Sequence, residues 1–161
     1  PWAVRKGKNM TLTPKEASLI KDMKDSEQLC IDKYTRGAES AADGQLKNLF
    51  STLAQAERTH LETLQGIERS GTAPTMSGAS GGSTMTFSAT YTQGDTSENA
   101  KNDAYPCTDA LSGEKQVSSL YNTCVFEFRD ASIRTALSHI QAEEQNHGKM
   151  LYDYMAANGM Y

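Results

Sequence analysis

Residues 57–60 read Glu57-Arg58-Thr59-His60, and residues 144–147 read Glu144-Gln145-Asn146-His147. Residues three apart on a helix share a face, so each Glu-x-x-His offers a carboxylate and an imidazole to one point. The chain has only three His, and two of them stand in these motifs. Sliding the sequence by 87 positions lays one motif on the other without a gap. The same slide puts Glu27 on Glu114, Tyr34 on Tyr121 and Asp43 on Asp130. Apolar positions match as well: Leu46 with Ile133, Phe50 with Leu137, Leu53 with Ile140 and Leu64 with Leu151. Glu27 and Glu57 lie about fifteen residues either side of the Asp43 turn, roughly 22 Å from it at the helical rise. In an antiparallel hairpin they face each other at one level, and Glu114 and Glu144 do the same about Asp130. The expected fold is all-α: two repeated antiparallel helical hairpins closing into a four-helix bundle. Glu27, Glu57, His60, Glu114, Glu144 and His147 would meet at its centre.

Local signals place the helices. Thr13-Pro14-Lys15-Glu16 is a capping box with Pro at the first helical position. Apolar or small residues then recur at Leu19, Met23, Cys30, Tyr34 and Ala38. Asp43 and Asp130 each precede an apolar-periodic helix and read as N-caps. Gly71 stops the second helix, and Asn158-Gly159-Met160 reads as the C-cap of the fourth, with Met160 making its apolar contact. The expected spans are about 14–42, 44–70, 108–129 and 131–158, with Thr108 or Asp109 capping the third. Residues 1–10 read as a basic tail, and the bundle occupies 11–161. Gly, Ser and Thr dominate residues 70–105, so about 71–107 reads as a flexible crossover. It must return along about 40 Å of bundle, which some thirty-five residues can span.

Composition narrows the classes. Sixteen Lys and Arg against twenty Asp and Glu give a formal charge of -4, which argues against a nucleic-acid binder working through a basic face. No apolar stretch is long enough to span a membrane, and none resembles a signal-peptide core. Secretion by a signal peptide is therefore not expected. Pro1 is not an initiator residue: either a Met has been removed or the start lies elsewhere, Met10 being one candidate. Three cysteines without a C-x-x-C pair make neither a disulfide framework nor a thiolate zinc site, and a reducing compartment follows.

A lone Glu-x-x-His would read as solvated helix charge. Two such pairs, each with a Glu thirty residues upstream on an apolar face, do not. Buried carboxylates without partners are very costly, and two divalent ions resolve that cost. Oxygen donors with imidazole suit iron, manganese or zinc, iron or manganese first. The excess of four acids equals the charge of the four Glu ligands. Tyr34 and Tyr121 lie seven residues after Glu27 and Glu114 and share the inner face. They are the candidates for a catalytic role, through a hydroxyl on a ligand carboxylate, against a reading as core aromatics. Cys30 reads as a small apolar filler close to the metals. Cys107 reads as exposed at a linker end, His139 as a surface residue off the ligand face, and Glu143 as solvated or behind the ligands.

One Glu from each of two helices and Glu-x-x-His from each of the other two is the pattern of ferritin-like di-metal bundles. At these residues both hairpins resemble the ferritin-like superfamily. A closer resemblance is to the bacterial spore coat F family. It rests on Leu29-Cys30-Ile31-Asp32-Lys33-Tyr34, Ser118-Ser119-Leu120-Tyr121-Asn122-Thr123 and Glu143-Glu144-Gln145-Asn146-His147-Gly148. The ending from Tyr152-Asp153-Tyr154-Met155 to Asn158-Gly159-Met160-Tyr161 is similar too. This implies a sporulating bacterium, synthesis in the cytoplasm and assembly into the spore coat. The implied partners are other coat proteins or a second copy of the chain, with no nucleic acid and no membrane. The doubled pattern also resembles rubrerythrin, with two departures. No rubredoxin-type C-x-x-C is present, and Val117 stands where an extra carboxylate is expected. Two functional classes stay open. One is a di-iron or di-manganese oxidoreductase of peroxidase, catalase or ferroxidase type. The other is a structural coat component in which metal is absent or only stabilises the bundle.

Overall fold

A computed structural model describes residues 11–76 and 85–161. The expected tail at 1–10 and the middle of the crossover lie outside the described residues. Four α-helices of 27 residues each run in order: α1 (Pro14–Ser40), α2 (Gly44–Ser70), α3 (Glu98–Cys124) and α4 (Ala131–Ala157). A short 3-10 turn, Val125–Glu127, follows α3. Among the described residues there is no strand, and no helix is long and apolar enough to cross a membrane. At the helical rise each helix is about 40 Å long. α1 packs along α2 and α3 along α4, while α1 also touches α3 and α2 touches α4. The arrangement is compatible with a ferritin-like four-helix bundle.

The N-caps of α1, α2 and α4 and the C-caps of α2 and α4 are those read from the sequence. Thr13 Oγ1 accepts from Glu16 N at 3.0 Å, and Glu16 Oε1 accepts from Thr13 N at 2.9 Å. Asp43 accepts from Gln45 N and Asp130 from Ile133 N, both at 3.1 Å. Gly71 takes the left-handed φ of 70° that ends α2. Gly159 does so at 67°, with Met160 N donating to Met155 O at 2.8 Å.

The third helix corrects the expectation. It begins at Glu98, ten residues before the expected start near 108, with Ser97 capping Ala100 N at 3.2 Å. Its inner positions run Ala100, Asp103, Cys107, Ala110, Glu114, Val117, Tyr121 and Cys124. That spacing is helical, but its first half is made of small or polar residues, so it reads as linker. Pro106 lies inside this helix. Cys107, expected to be exposed, is fully buried. Thr108 is not a cap; its hydroxyl donates to Ala104 O at 3.3 Å.

The far end of the crossover is also tied down rather than free. Asn158 Oδ1 accepts from Thr90 N at 2.8 Å and Tyr91 N at 3.1 Å. A Cβ on Gly159 would stand 2.6 Å from Gln93 Cα, so only glycine permits this approach. Asp103, fully buried, accepts from Ala42 N and Asp43 N at 2.9 Å each and from the Tyr91 hydroxyl at 2.6 Å. Glu16, which stands 87 positions before Asp103, binds the opposite turn in the same manner. It accepts from Arg129 N at 3.2 Å and from the Arg129 guanidinium at 3.0 and 3.1 Å. One buried carboxylate thus pins each hairpin turn to the first part of the other hairpin.

Two apolar clusters fill the bundle. One, towards the α1–α2 turn, holds Tyr34, Leu46, Phe50, Leu53, Leu151 and Tyr154. The other, towards the α3–α4 turn, holds Ile20, Met23, Leu64, Val117, Tyr121 and Ile140. Each large side chain so buried contributes about 1.5–3 kcal/mol. Between the two clusters lies a polar layer.

Candidate metal centre

All six candidate ligands lie in that layer, and all are buried. α1 supplies Glu27, α2 supplies Glu57 and His60, α3 supplies Glu114, and α4 supplies Glu144 and His147. The two imidazoles stack with ring centroids 5.7 Å apart. Both turn Nδ1 towards the carboxylates. His60 Nδ1 lies 3.3 Å from Glu57 Oε2, 3.0 Å from Glu144 Oε1 and 3.6 Å from Glu27 Oε2. His147 Nδ1 lies 2.9 Å from Glu57 Oε1, 3.4 Å from Glu144 Oε2 and 3.5 Å from Glu114 Oε1. Glu57 and Glu144 therefore each turn one oxygen to either imidazole, while Glu27 and Glu114 each serve one.

The result is two overlapping groups: Glu27, Glu57, His60 and Glu144, and Glu57, Glu114, Glu144 and His147. Within each, the ligand atoms lie within 4.8 Å of one another, close enough to hold a metal ion. Among the described residues, Glu27 Oε2, Glu114 Oε2 and Glu144 Oε2 are buried without a hydrogen-bond partner. Unpaired buried oxygens of this kind are rare in folded proteins, and a cation is one of the few things that satisfies them.

The electrostatics have the same cause. Burial pushes the Glu27 carboxyl up to about 8, helped by Glu57 and opposed by His60. Burial drives Glu144 well above the usual carboxylate range, with Glu114 adding to the rise. Burial would raise Glu57 too, but the neighbouring Glu27 carboxyl and the His147 and His60 imidazoles outweigh it and hold that group low. Burial opposes charge on His60, yet Glu143, Glu144, Glu27 and Glu57 together lift it well above the ordinary imidazole value. His147 is lifted likewise by Glu114, Glu144 and Glu57. Protons on these groups offset the carboxylate charge; metal binding would release them.

The tyrosines cross the bundle. Tyr121 donates from α3 to Glu27 Oε1 at 2.6 Å, and Tyr34 donates from α1 to Glu114 Oε1. Each hydroxyl orients the carboxylate of the other hairpin, the position of a group that tunes a ligand. Cys30 is partly buried beside both apolar clusters, and burial pushes its thiol far above the ordinary value. That is the environment of an inert filler.

Glu143 takes the second of the two places read for it, behind the candidate ligands. Its Oε2 lies 2.8 Å from His60 Nε2, and its Oε1 lies 2.5 Å from His139 Nε2. His139 touches no candidate ligand in these contacts but backs Glu143. Asp103 is the residue that sequence reasoning missed. The offset of 87 from Glu16 was the available signal, hidden because the region read as linker.

Fold and centre together define a helical bundle with a buried carboxylate–imidazole cluster suited to metal ions. The Coat F domain family model matches residues 102–161, which contain Glu114, Tyr121, Glu144 and His147. The match bears out the resemblance to the spore coat F family over that part of the chain. Neither the curated proteins nor the solved structures give a match.

Proposed function

We propose that this chain is a ferritin-like di-metal protein of the spore coat, built from two copies of one helical hairpin. The observation that carries the reading is the pair of overlapping four-residue groups sharing Glu57 and Glu144. Glu27 and His60 would hold one divalent ion, Glu114 and His147 the other, with Glu57 and Glu144 shared. Iron or manganese fits this donor set best. When bound, such a pair supplies redox chemistry with dioxygen or peroxide. The chain's own residues supply the rest. Tyr121 and Tyr34 orient Glu27 and Glu114, and Glu143 fixes the ring of His60. The two apolar clusters keep bulk water from the layer between them. Other coat proteins or a second copy of the chain are the natural partners in a coat.

Val117 favours a second reading, a structural coat component in which the ions only hold the bundle together. It is buried one turn after Glu114, where a further carboxylate would enrich the centre. Optical spectra of the iron-loaded protein before and after peroxide separate the two. A spectrum that changes with peroxide, and is abolished in the Glu57→Ala/Glu144→Ala double variant, supports redox chemistry. Bound iron whose spectrum ignores peroxide supports the structural reading. Unchanged metal content in the double variant overturns the site.

A further inference from the structure

The two halves of the centre differ in what surrounds them. A cavity of about 40 Å³ lies between α1 and α3 and reaches Glu114. Cys30, Tyr34, Ala110 and Gly113 form its inner wall, and half-exposed Lys33 and Asp109, paired at 2.5 Å, line its outer side. The side-chain sizes explain it. Ala110 and Gly113 occupy the turn of α3 before Glu114, and a Cβ on Gly113 would meet nothing within 4 Å. A glycine inside a helix costs about 1 kcal/mol relative to alanine, and here it leaves space. At the matching places before Glu27 stand Met23 and Ser26. Met23 is fully buried in one cluster with Val117 and Tyr121. The place of Cys30 is taken by Val117, and that of Lys33 by Leu120.

We infer that small molecules reach the centre through this cavity, from the Glu114 side, so that the Glu114–His147 half takes the external ligand. This rests on the proposed metal pair and adds the side from which it is reached. The occupant is a small neutral two-oxygen molecule, dioxygen or hydrogen peroxide. The cavity has about three times the room that one water needs. Its wall is mostly carbon; the Glu114 carboxyl and the Tyr34 hydroxyl are polar groups at its inner end, and the Lys33–Asp109 pair stands at its outer side. Larger peroxides do not fit. Gly113 and Ala110 set that size limit.

Xenon, which enters apolar cavities, tests the passage on the protein without metal. Crystals of the wild type under xenon pressure should show an atom between Ala110 and Glu114. Gly113→Leu should lose it, and Met23→Ala should gain a second atom beside Glu27. Stopped-flow mixing of the iron-loaded protein then reads use of the passage. Hydrogen peroxide should react at least about tenfold faster than tert-butyl hydroperoxide, and Gly113→Leu should slow it about tenfold with metal content kept. A parallel run with oxygenated buffer shows which oxidant is the faster. Ala110→Val serves as a second variant where Gly113→Leu folds poorly. Equal peroxide rates in wild type and a metal-replete variant would overturn the inference, as would xenon beside Glu27 in the wild type. Failure of the wild type to bind metal would instead overturn the proposed centre, and the xenon map is independent of it.

Discussion

Glu27 with His60 and Glu114 with His147 are the same pair of side chains in two different settings. Around the first pair the packing is closed. Met23 fills the space before Glu27, and Glu143 from α4 grips the far nitrogen of His60 at 2.8 Å. Around the second pair a cavity reaches Glu114, and the place matching Glu143 in α2 is Ala56, which has no polar group to offer. What could hold a metal follows from the doubled ligand pattern. What can reach it follows from a handful of neighbours that the doubling does not constrain.

The comparison breaks most severely where the halves share a ligand. Glu57→Ala should leave under about half an ion per chain after anaerobic loading, because both groups lose a member. Glu27→Ala and Glu114→Ala should each leave about one, counted by elemental analysis. Equal losses in all three would remove the distinction between shared and separate ligands.

The turn carboxylates come next. Asp103→Ala strips three donors of a fully buried acceptor and should cost about 3 kcal/mol, or roughly 6–12 °C in Tm. Glu16→Ala should cost about half of that, since the Arg129 side chain it holds is half-exposed and can turn to water. Thermal unfolding followed by circular dichroism measures both.

Glu143→Ala sharpens the contrast between halves. Loss of a carboxylate behind a ligating histidine weakens binding about 10–100-fold. It should do so for one of the two ions and turn a chelator competition curve biphasic. Tyr34→Phe and Tyr121→Phe should be smaller and alike, each weakening its own half by up to about tenfold. A large difference between them would mean that the two hydroxyls do unlike work.

The smallest effect concerns pH. Burial tends to raise the Glu16 carboxyl, but the backbone N–H groups of Thr13 and Arg129 and the Arg129 guanidinium outweigh it and hold it below its ordinary 4.5. A carboxyl lowered by folding stabilises the protein fully above that ordinary value, and the contribution is lost as pH falls through the lower, folded value. The Tm gap between wild type and Glu16→Gln should therefore be constant at neutral pH and close as the solution is acidified past 4.5, a change of about 1 kcal/mol.

Three of the four helices were legible because strong apolar periods end in unambiguous caps: the Thr13 box, Asp43 with Gly71, and Asp130 with Gly159. The start of α3 was not, because Ala100, Asp103 and Cys107 bury little apolar surface and Pro106 argues against a helix. The six candidate ligands could be named from spacing alone. The sharing of Glu57 and Glu144 could not, since it depends on how both carboxylates turn across the bundle. For Glu143, about 100° from Glu144 on its own helix, the sequence leaves two places open, in solvent or behind the ligands. In the bundle that direction brings its carboxylate to His60 on α2. Cross-helix neighbours of this kind, like the cavity beside Gly113, follow from packing rather than from any one helix.

The central claim is that a pair of metal ions belongs in the layer between the two apolar clusters. Elemental analysis of the full chain, loaded anaerobically with iron or manganese and freed of excess metal, tests it most directly. About two ions per chain are predicted. Fewer than about one ion per chain under the same conditions would contradict it.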